Sequence, residues 1–110
     1  MDERARRIGQ NEALFRSINE SIESMNEAFG TLTDSMAVVC ECGDVSCAEQ
    51  IEVRIADYER VRSDPTHFIV VPGHEEADVE DVVERQERFD VVRKHEDGPA
   101  ELARELDPRS

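Results

Sequence analysis

Apolar side chains recur at seven-residue intervals along the first thirty positions. Ile8, Phe15, Ile22 and Phe29 form one row, and Ile18 and Met25 fall between them, with Asn11 completing the second row. This a/d spacing, held for about three repeats, predicts an amphipathic helix over 2–29. Asp2 and Glu3 suit the positive end of the helix dipole, and Asp2 can cap it. Arg4, Arg6 and Arg7 sit at the wrong end and predict a fraying first turn. Gly9 weakens the helix and Gly30 ends it. Two packing arrangements fit the stripe. It can cover its own domain, or it can form a coiled-coil seam through Ile8, Phe15, Ile18 and Ile22, for a second copy or for a partner helix. Asn11 at a seam position is the usual register-setting device.

Beyond residue 30 the periods shorten. Residues 31–35 read as a loop, and Ala37–Cys40 as a short apolar strand. Gly43-Asp44 makes a turn, and Ser46 with Glu49 has capping-box spacing that would open a helical turn at Cys47. Ile51–Arg54 alternates as a strand does. Ala56–Ser63 reads as a short helix with Tyr58 and Val61 inward, stopped by Pro65. Phe68–Val71 is a continuous apolar strand, and Pro72-Gly73 turns the chain into His74. Over 79–94 both periods occur, and the β-branched content with a polar middle favours a β-hairpin. Residues 95–99 form a linker, Ala100–Leu106 a short helix, and the last few residues a loose end. The expected class is α+β: a long N-terminal helix (1–30), a small metal-stapled domain with a short mixed sheet (31–97), and a C-terminal helix and tail (98–110).

Three cysteines change this picture from architecture to chemistry. Cys40, Cys42 and Cys47 fall within eight residues and are the only ones in the 110-residue chain. Hydrophobic residues make up 38 % and there is no Trp, so the core is small and a metal staple would stabilise it. An odd number of cysteines cannot all pair, and metal binding outranks disulfides. Neither a membrane-spanning run nor the hydrophobic stretch of a signal peptide follows Met1, so the expected location is the cytoplasm, where thiols stay reduced.

Zinc takes thiolate sulfur and neutral imidazole in a tetrahedral array, and three thiolates are one ligand short. In an extended segment residues i and i+2 point the same way, so Cys40 and Cys42 can face one ion. The Gly43-Asp44 turn brings Cys47 to a third side. His74, straight after a turn at a strand end, is the leading fourth ligand. It meets the cysteines if the strand near Val38 runs parallel to Phe68–Val71; His67 and His95 rank behind it. The expected site is Zn²⁺ on Cys40, Cys42, Cys47 and His74. The acidic neighbours Glu41, Asp44 and Glu49 do not suit a low-pKa redox thiol.

Net charge is −14, shared by both halves of the chain: four basic and ten acidic side chains over 1–50, nine and seventeen over 51–110. This argues against direct nucleic-acid binding and disfavours an anionic membrane. It fits plain solubility or a protein partner with a basic surface. Twelve Arg against one Lys reads as the codon bias of a GC-rich bacterial genome.

The runs CECGDVSCAEQIEV, DYERVRSDPTHFIVVPGHE and VVERQERFDVVRK resemble those of a family of small uncharacterised actinobacterial proteins, over nearly the whole chain. That resemblance implies a fold and a metal and no activity. A looser architectural likeness links the chain to DksA/TraR-type RNA polymerase regulators, which combine a long helix with a cysteine zinc finger. The chain lacks their paired C-x-x-C knuckles and helical hairpin, and the H-x-x-x-C-x-x-C arrangement of zinc anti-sigma factors.

The leading expectation is a non-enzymatic regulatory or adaptor protein acting through protein–protein contacts, with a structural zinc held by three cysteines and one histidine. The alternatives are a metalloenzyme whose three-cysteine site is open and has Glu75 or Glu76 as base, a thiol sensor that loses zinc on oxidation, and an acidic mimic of nucleic acid.

Overall fold

The computed structural model describes residues 1–28 and 34–109. Helix α1 spans Glu3–Ala28. Asp2 caps it: its Oδ1 accepts the Ala5 N–H at 2.7 Å, the N-cap to N3 bond expected of an aspartate there. Arg4, on the unfavourable end of the dipole, reaches across to Glu76 and Asp78. The predicted helix end at Phe29 and Gly30, and most of the loop after it, lie outside the described residues.

The buried face of α1 is not the predicted apolar seam. Ile8 is buried, Phe15 and Ile22 are half-buried, and Ile18 and Met25 are 40 % and 58 % exposed. The side chains turned inward are Glu12, Arg16, Asn19 and Glu23. These are Asn11, Phe15, Ile18 and Ile22 advanced by one position, a rotation of about 100° at 3.6 residues per turn. The heptad spacing survives, but polar groups fill it. The reason lies in what the rest of the chain offers: buried charges and backbone carbonyls rather than an apolar groove.

The remaining elements are β1 (Ser35–Val39), β2 (Gln50–Arg54), α2 (Ile55–Arg62), β3 (His67–Val70), β4 (Glu80–Arg85), β5 (Asp90–Lys94) and α3 (Pro99–Glu105). Strands β1 and β2 form an antiparallel pair, and a second antiparallel sheet has the order β3-β5-β4. The α+β class holds, with two small sheets in place of the one mixed sheet expected. The stretch 79–94 is the hairpin its β-branched residues indicate, with a register shift between Val82 and Glu84 that marks a bulge at Val83. Helix α2 turns Tyr58 and Val61 inward as read from its period. The apolar core lies between the sheets and α2, around Val38, Ile51, Tyr58, Phe68, Ile69 and Val92.

Two charged clusters join the helices to this core. The single lysine, Lys94, is buried and donates to Glu12 at 2.5 Å and to Glu80 at 3.0 Å. Burial and the neighbouring Glu80 carboxylate push the Glu12 carboxyl well above its usual range. Burial works against the Lys94 charge, but the two carboxylates outweigh it and hold the ammonium. The chain end, expected to be loose, is clipped instead. Asp107 accepts from buried Arg62 at 2.5 Å, and Arg109 spreads its guanidinium over Glu20, Glu23 and Glu59. Its anchor is this crowding of carboxylates, which a linear reading of 107–110 cannot reveal.

The Lys94 cluster makes a prediction. Lys94→Met leaves two buried carboxylates without a counter-charge and should cost about 3–5 kcal/mol of unfolding free energy. Glu12→Gln, close in shape to a protonated Glu12, should cost less. Because the Glu12 carboxyl titrates higher in the folded than in the unfolded chain, its contribution is fully present below the ordinary carboxylate range and fades as pH rises. Urea melts across pH 5 to 9 should therefore show a shallower alkaline loss for Glu12→Gln than for the parent. Equal costs for the two variants would mean that the triad is not a buried ion cluster.

Candidate metal centre

The site is assembled from two loops. The first begins where β1 ends. Cys40 N–H still bonds to Glu49 O across from β2, and then the chain leaves its sheet. Over Cys40–Cys42 it stays extended and runs beside β3: Glu41 N–H donates to Ile69 O at 2.9 Å, and Ile69 N–H donates to Glu41 Oε1 at 3.0 Å. Parallel pairing of β1 with β3, the condition set for His74 to meet the cysteines, is therefore not present. β1 pairs with β2, and it is the cysteine segment after β1 that meets β3. The geometric consequence is the one anticipated, because Cys40 and Cys42 arrive at the C-terminal end of β3.

A turn then returns Cys47. Asp44 O accepts the Cys47 N–H at 3.0 Å, and Asp44 Oδ1 takes both the N–H and the hydroxyl of Ser46 at 2.9 and 2.7 Å. Asp44, rather than a Ser46–Glu49 capping box, organises this stretch, and no helical turn opens at Cys47. The Ser46 hydroxyl and N–H hold the Asp44 carboxyl below its usual range.

The second loop is the turn at Pro72-Gly73. His74 N–H bonds to Val71 O at 2.9 Å, and Gly73 has φ +90°, the third position of a turn with proline at its second. Any other residue at Gly73 strains that turn. Val71 also donates its own N–H to Cys40 Sγ at 3.2 Å, so one residue positions two candidate ligands.

Cys40, Cys42, Cys47 and His74 bring one ligand atom each within 4.8 Å of one another. His74 Nδ1 lies 3.7 Å from both Cys40 Sγ and Cys47 Sγ. A tetrahedral ion with sulfur at about 2.3 Å and nitrogen at about 2.05 Å would set sulfur–nitrogen edges of about 3.6 Å, which the two His74 distances match. All three cysteines are free thiols, with Cys40 and Cys42 buried and Cys47 half-buried. Burial pushes the Cys40 and Cys42 thiols up. Metal uptake must therefore displace protons and strengthen with pH. His67 stands at the far end of β3 against Asp64, and His95 pairs with Asp81; neither joins the cluster.

Two functional neighbours were not legible as such. Glu49 Oε2 lies 3.1 Å from His74 Nε2. A carboxylate on the outer nitrogen of a metal-binding histidine fixes the ring and its tautomer, leaving Nδ1 to face the sulfurs. Glu41 is fully buried and bonded to Asn19 Nδ2 at 2.8 Å as well as to Ile69 N–H. Burial pushes its carboxyl up to about 7. A signal for Glu41 did exist. In an extended segment the residue between two ligands points away from them, hence into the protein. Glu49 had none, because its meeting with His74 depends on two separate loops.

Beside the ligands lies a shallow cleft of about 210 Å³ lined by Cys42, Asp44, Gly73, His74, Glu75 and Glu76. Glu75 buries Oε1 without a partner, whereas Glu76 is engaged by Arg4. Among the described residues no helix is long and apolar enough to cross a membrane. Comparison with known proteins finds no matching protein family, curated protein or solved structure.

The geometry ranks the histidines experimentally. His74→Ala should lower metal affinity by more than His67→Ala or His95→Ala in a chelator competition titration. Glu49→Ala, which frees the outer nitrogen, should lower it by about 10–100-fold. A Glu49→Ala variant with unchanged affinity would remove Glu49 from the site.

Proposed function

We propose that this chain is a small regulatory or adaptor protein without catalytic activity, built around a structural Zn²⁺ on Cys40, Cys42, Cys47 and His74. The observation that supports the reading is the ligand set: three sulfurs and one imidazole nitrogen within 4.8 Å of one another, with a carboxylate behind the imidazole. Three cysteines and a histidine suit zinc by softness and geometry, and a filled tetrahedron leaves no position for a substrate. The open-site alternative is less well supported, since His74 takes the place a reactive water would need and Arg4 engages Glu76. The redox alternative is also weaker, because buried thiols pushed up in pKa are poor nucleophiles when the metal is gone.

Contacts with a partner are supported by α1. Leu14, Ile18 and Met25 are exposed along one side of the helix, with half-buried Phe15 and Ile22 at its margin. Phe15, Ile18, Ile22 and Met25 belong to the predicted seam and Leu14 does not, while Ile8 packs on the metal loop. A strongly acidic chain of net charge −14 favours a partner with a basic surface.

The purified chain should carry close to one zinc per monomer. Cys42→Ser should remove it and lower the melting temperature, because metal binding free energy here is folding free energy. Metal-free protein with the parent melt would refute the zinc site. The contact role has a separate test. Ile18→Asp should leave zinc content and helicity unchanged, since Ile18 faces solvent, while reducing self-association or partner capture in light scattering and pull-down. A variant that loses both zinc and helicity would make the stripe ordinary packing.

A further inference from the structure

We propose that Cys47 is the reactive ligand of the zinc centre: its sulfur is the point at which a neutral alkylating electrophile enters the site and opens it. The inference rests on the zinc reading above and assigns that site a modifiable residue.

The three sulfurs differ in what surrounds them. Cys40 and Cys42 are 1 % and 2 % exposed and lie in a run, Cys40–Gly43, that is buried throughout. Cys47 is half-buried, and the three residues on either side of it, Asp44–Ser46 and Ala48–Gln50, are all exposed. The shallow cleft beside the site touches Cys42 without uncovering it. An electrophile must reach the sulfur it attacks, so access favours Cys47.

Hydrogen bonding sorts the sulfurs the same way. A bound ion holds every ligating cysteine as thiolate, so reactivity depends on how much of that charge the backbone draws off. Cys40 Sγ accepts the Val71 N–H at 3.2 Å and faces the N–H of Cys42, and Cys42 Sγ faces the N–H of Asp44. Among the described residues no backbone N–H reaches the Cys47 sulfur, which meets His74 Nδ1 at 3.7 Å and the Cys42 thiol. It therefore keeps the most charge. In the step itself the Cys47 sulfur forms a bond to carbon with the electron pair it shared with zinc, and the leaving group departs from that carbon with its own bonding pair. The product is a thioether, which is uncharged and a poor zinc ligand, and the fourth corner of the site is left open. Cys40, Cys42 and His74 stay placed, because their segments are bonded through Cys40 N–H to Glu49 O, Glu41 N–H to Ile69 O and His74 N–H to Val71 O. The site thus opens at one corner without unfolding. Exposed Asp44 and Glu49 flank the loop in a chain of net charge −14, so an anionic reagent is repelled and a neutral one is not.

Iodoacetamide and iodoacetate, which share a leaving group and differ in charge, test this on the zinc-loaded full chain. With limiting iodoacetamide, peptide mapping should place the first adduct on Cys47. Zinc release to a chromogenic chelator should follow adduct formation one for one, with helicity unchanged. First adducts on Cys40 or Cys42, or spread evenly over the three, would overturn the proposal, as would zinc release that runs ahead of alkylation. Iodoacetate should lag iodoacetamide by about tenfold beyond the ratio the two show with a free thiol. An unchanged ratio would overturn the preference for a neutral reagent. A second arm uses Cys47→Ser, kept loaded by excess zinc. It should lose the fast reaction with iodoacetamide, and a rate equal to the parent's would overturn the assignment. Zinc content separates the two readings. A chain that never holds zinc fails the site and the reactive ligand together, whereas a zinc-loaded chain alkylated first at another cysteine fails the reactive ligand alone.

Discussion

Everything in this protein turns on an extended segment of three residues whose side chains alternate. Cys40 and Cys42 point one way, toward Cys47 and His74, as a group that could hold a metal ion; Glu41 points the other way and is fully buried. Its carboxylate stitches β3 to α1, with Ile69 N–H on one oxygen and Asn19 on the other. A carboxylate in the interior is costly, and it is tolerated where hydrogen bonds and nearby cations such as Arg16 and Arg62 offset the desolvation. The alternation of a strand therefore does here what a large apolar core does elsewhere. It joins the ligand shell, the central sheet and the long helix within one short stretch of backbone.

That economy explains an unusual division of labour. Aliphatic side chains build the centre between the sheets and α2, while charges fasten the periphery. Arg16 lies 4.4 Å over the Phe68 ring and donates to Pro65 O and Ala103 O, tying α1 to the turn before β3 and to α3. Lys94 ties α1 to the hairpin. Arg109 ties the tail to both α1 and α2. In a chain with few aromatics, long cationic side chains with apolar stems supply both packing and direction.

Much of this was legible in the sequence. The strands near 37–40, 51–54 and 68–71, the helix at 56–63 and the hairpin over 79–94 follow from local periods, and local periods are a property of the chain itself. Cys40, Cys42 and Cys47 were legible because adjacent ligands need only local geometry to converge, and His74 because a proline-glycine turn leads directly into it. The inner face of α1 was not legible. Its heptad spacing belongs equally to Asn11, Phe15, Ile18 and Ile22 and to Glu12, Arg16, Asn19 and Glu23, and hydrophobicity selects the wrong set. Only the later arrival of Lys94, Glu41 and the carbonyls of Val39, Pro65 and Ala103 decides between them, and those contacts span twenty to more than eighty residues of chain. The anchored tail escaped for the same reason.

The bulge at Val83 has a bearing on how copies of this molecule can meet. Strand β4 is the outer strand of its sheet, and an unpaired outer strand invites the strand of another molecule to extend the ladder. The shifted register between Val82 and Glu84 breaks the regular row of donors and acceptors, and Asp81, Glu84 and Arg85 place charge along the same rim. Both devices are those by which proteins discourage sheet-to-sheet stacking and fibril growth. Strand β4 is thereby a poor template for the strand of a second molecule.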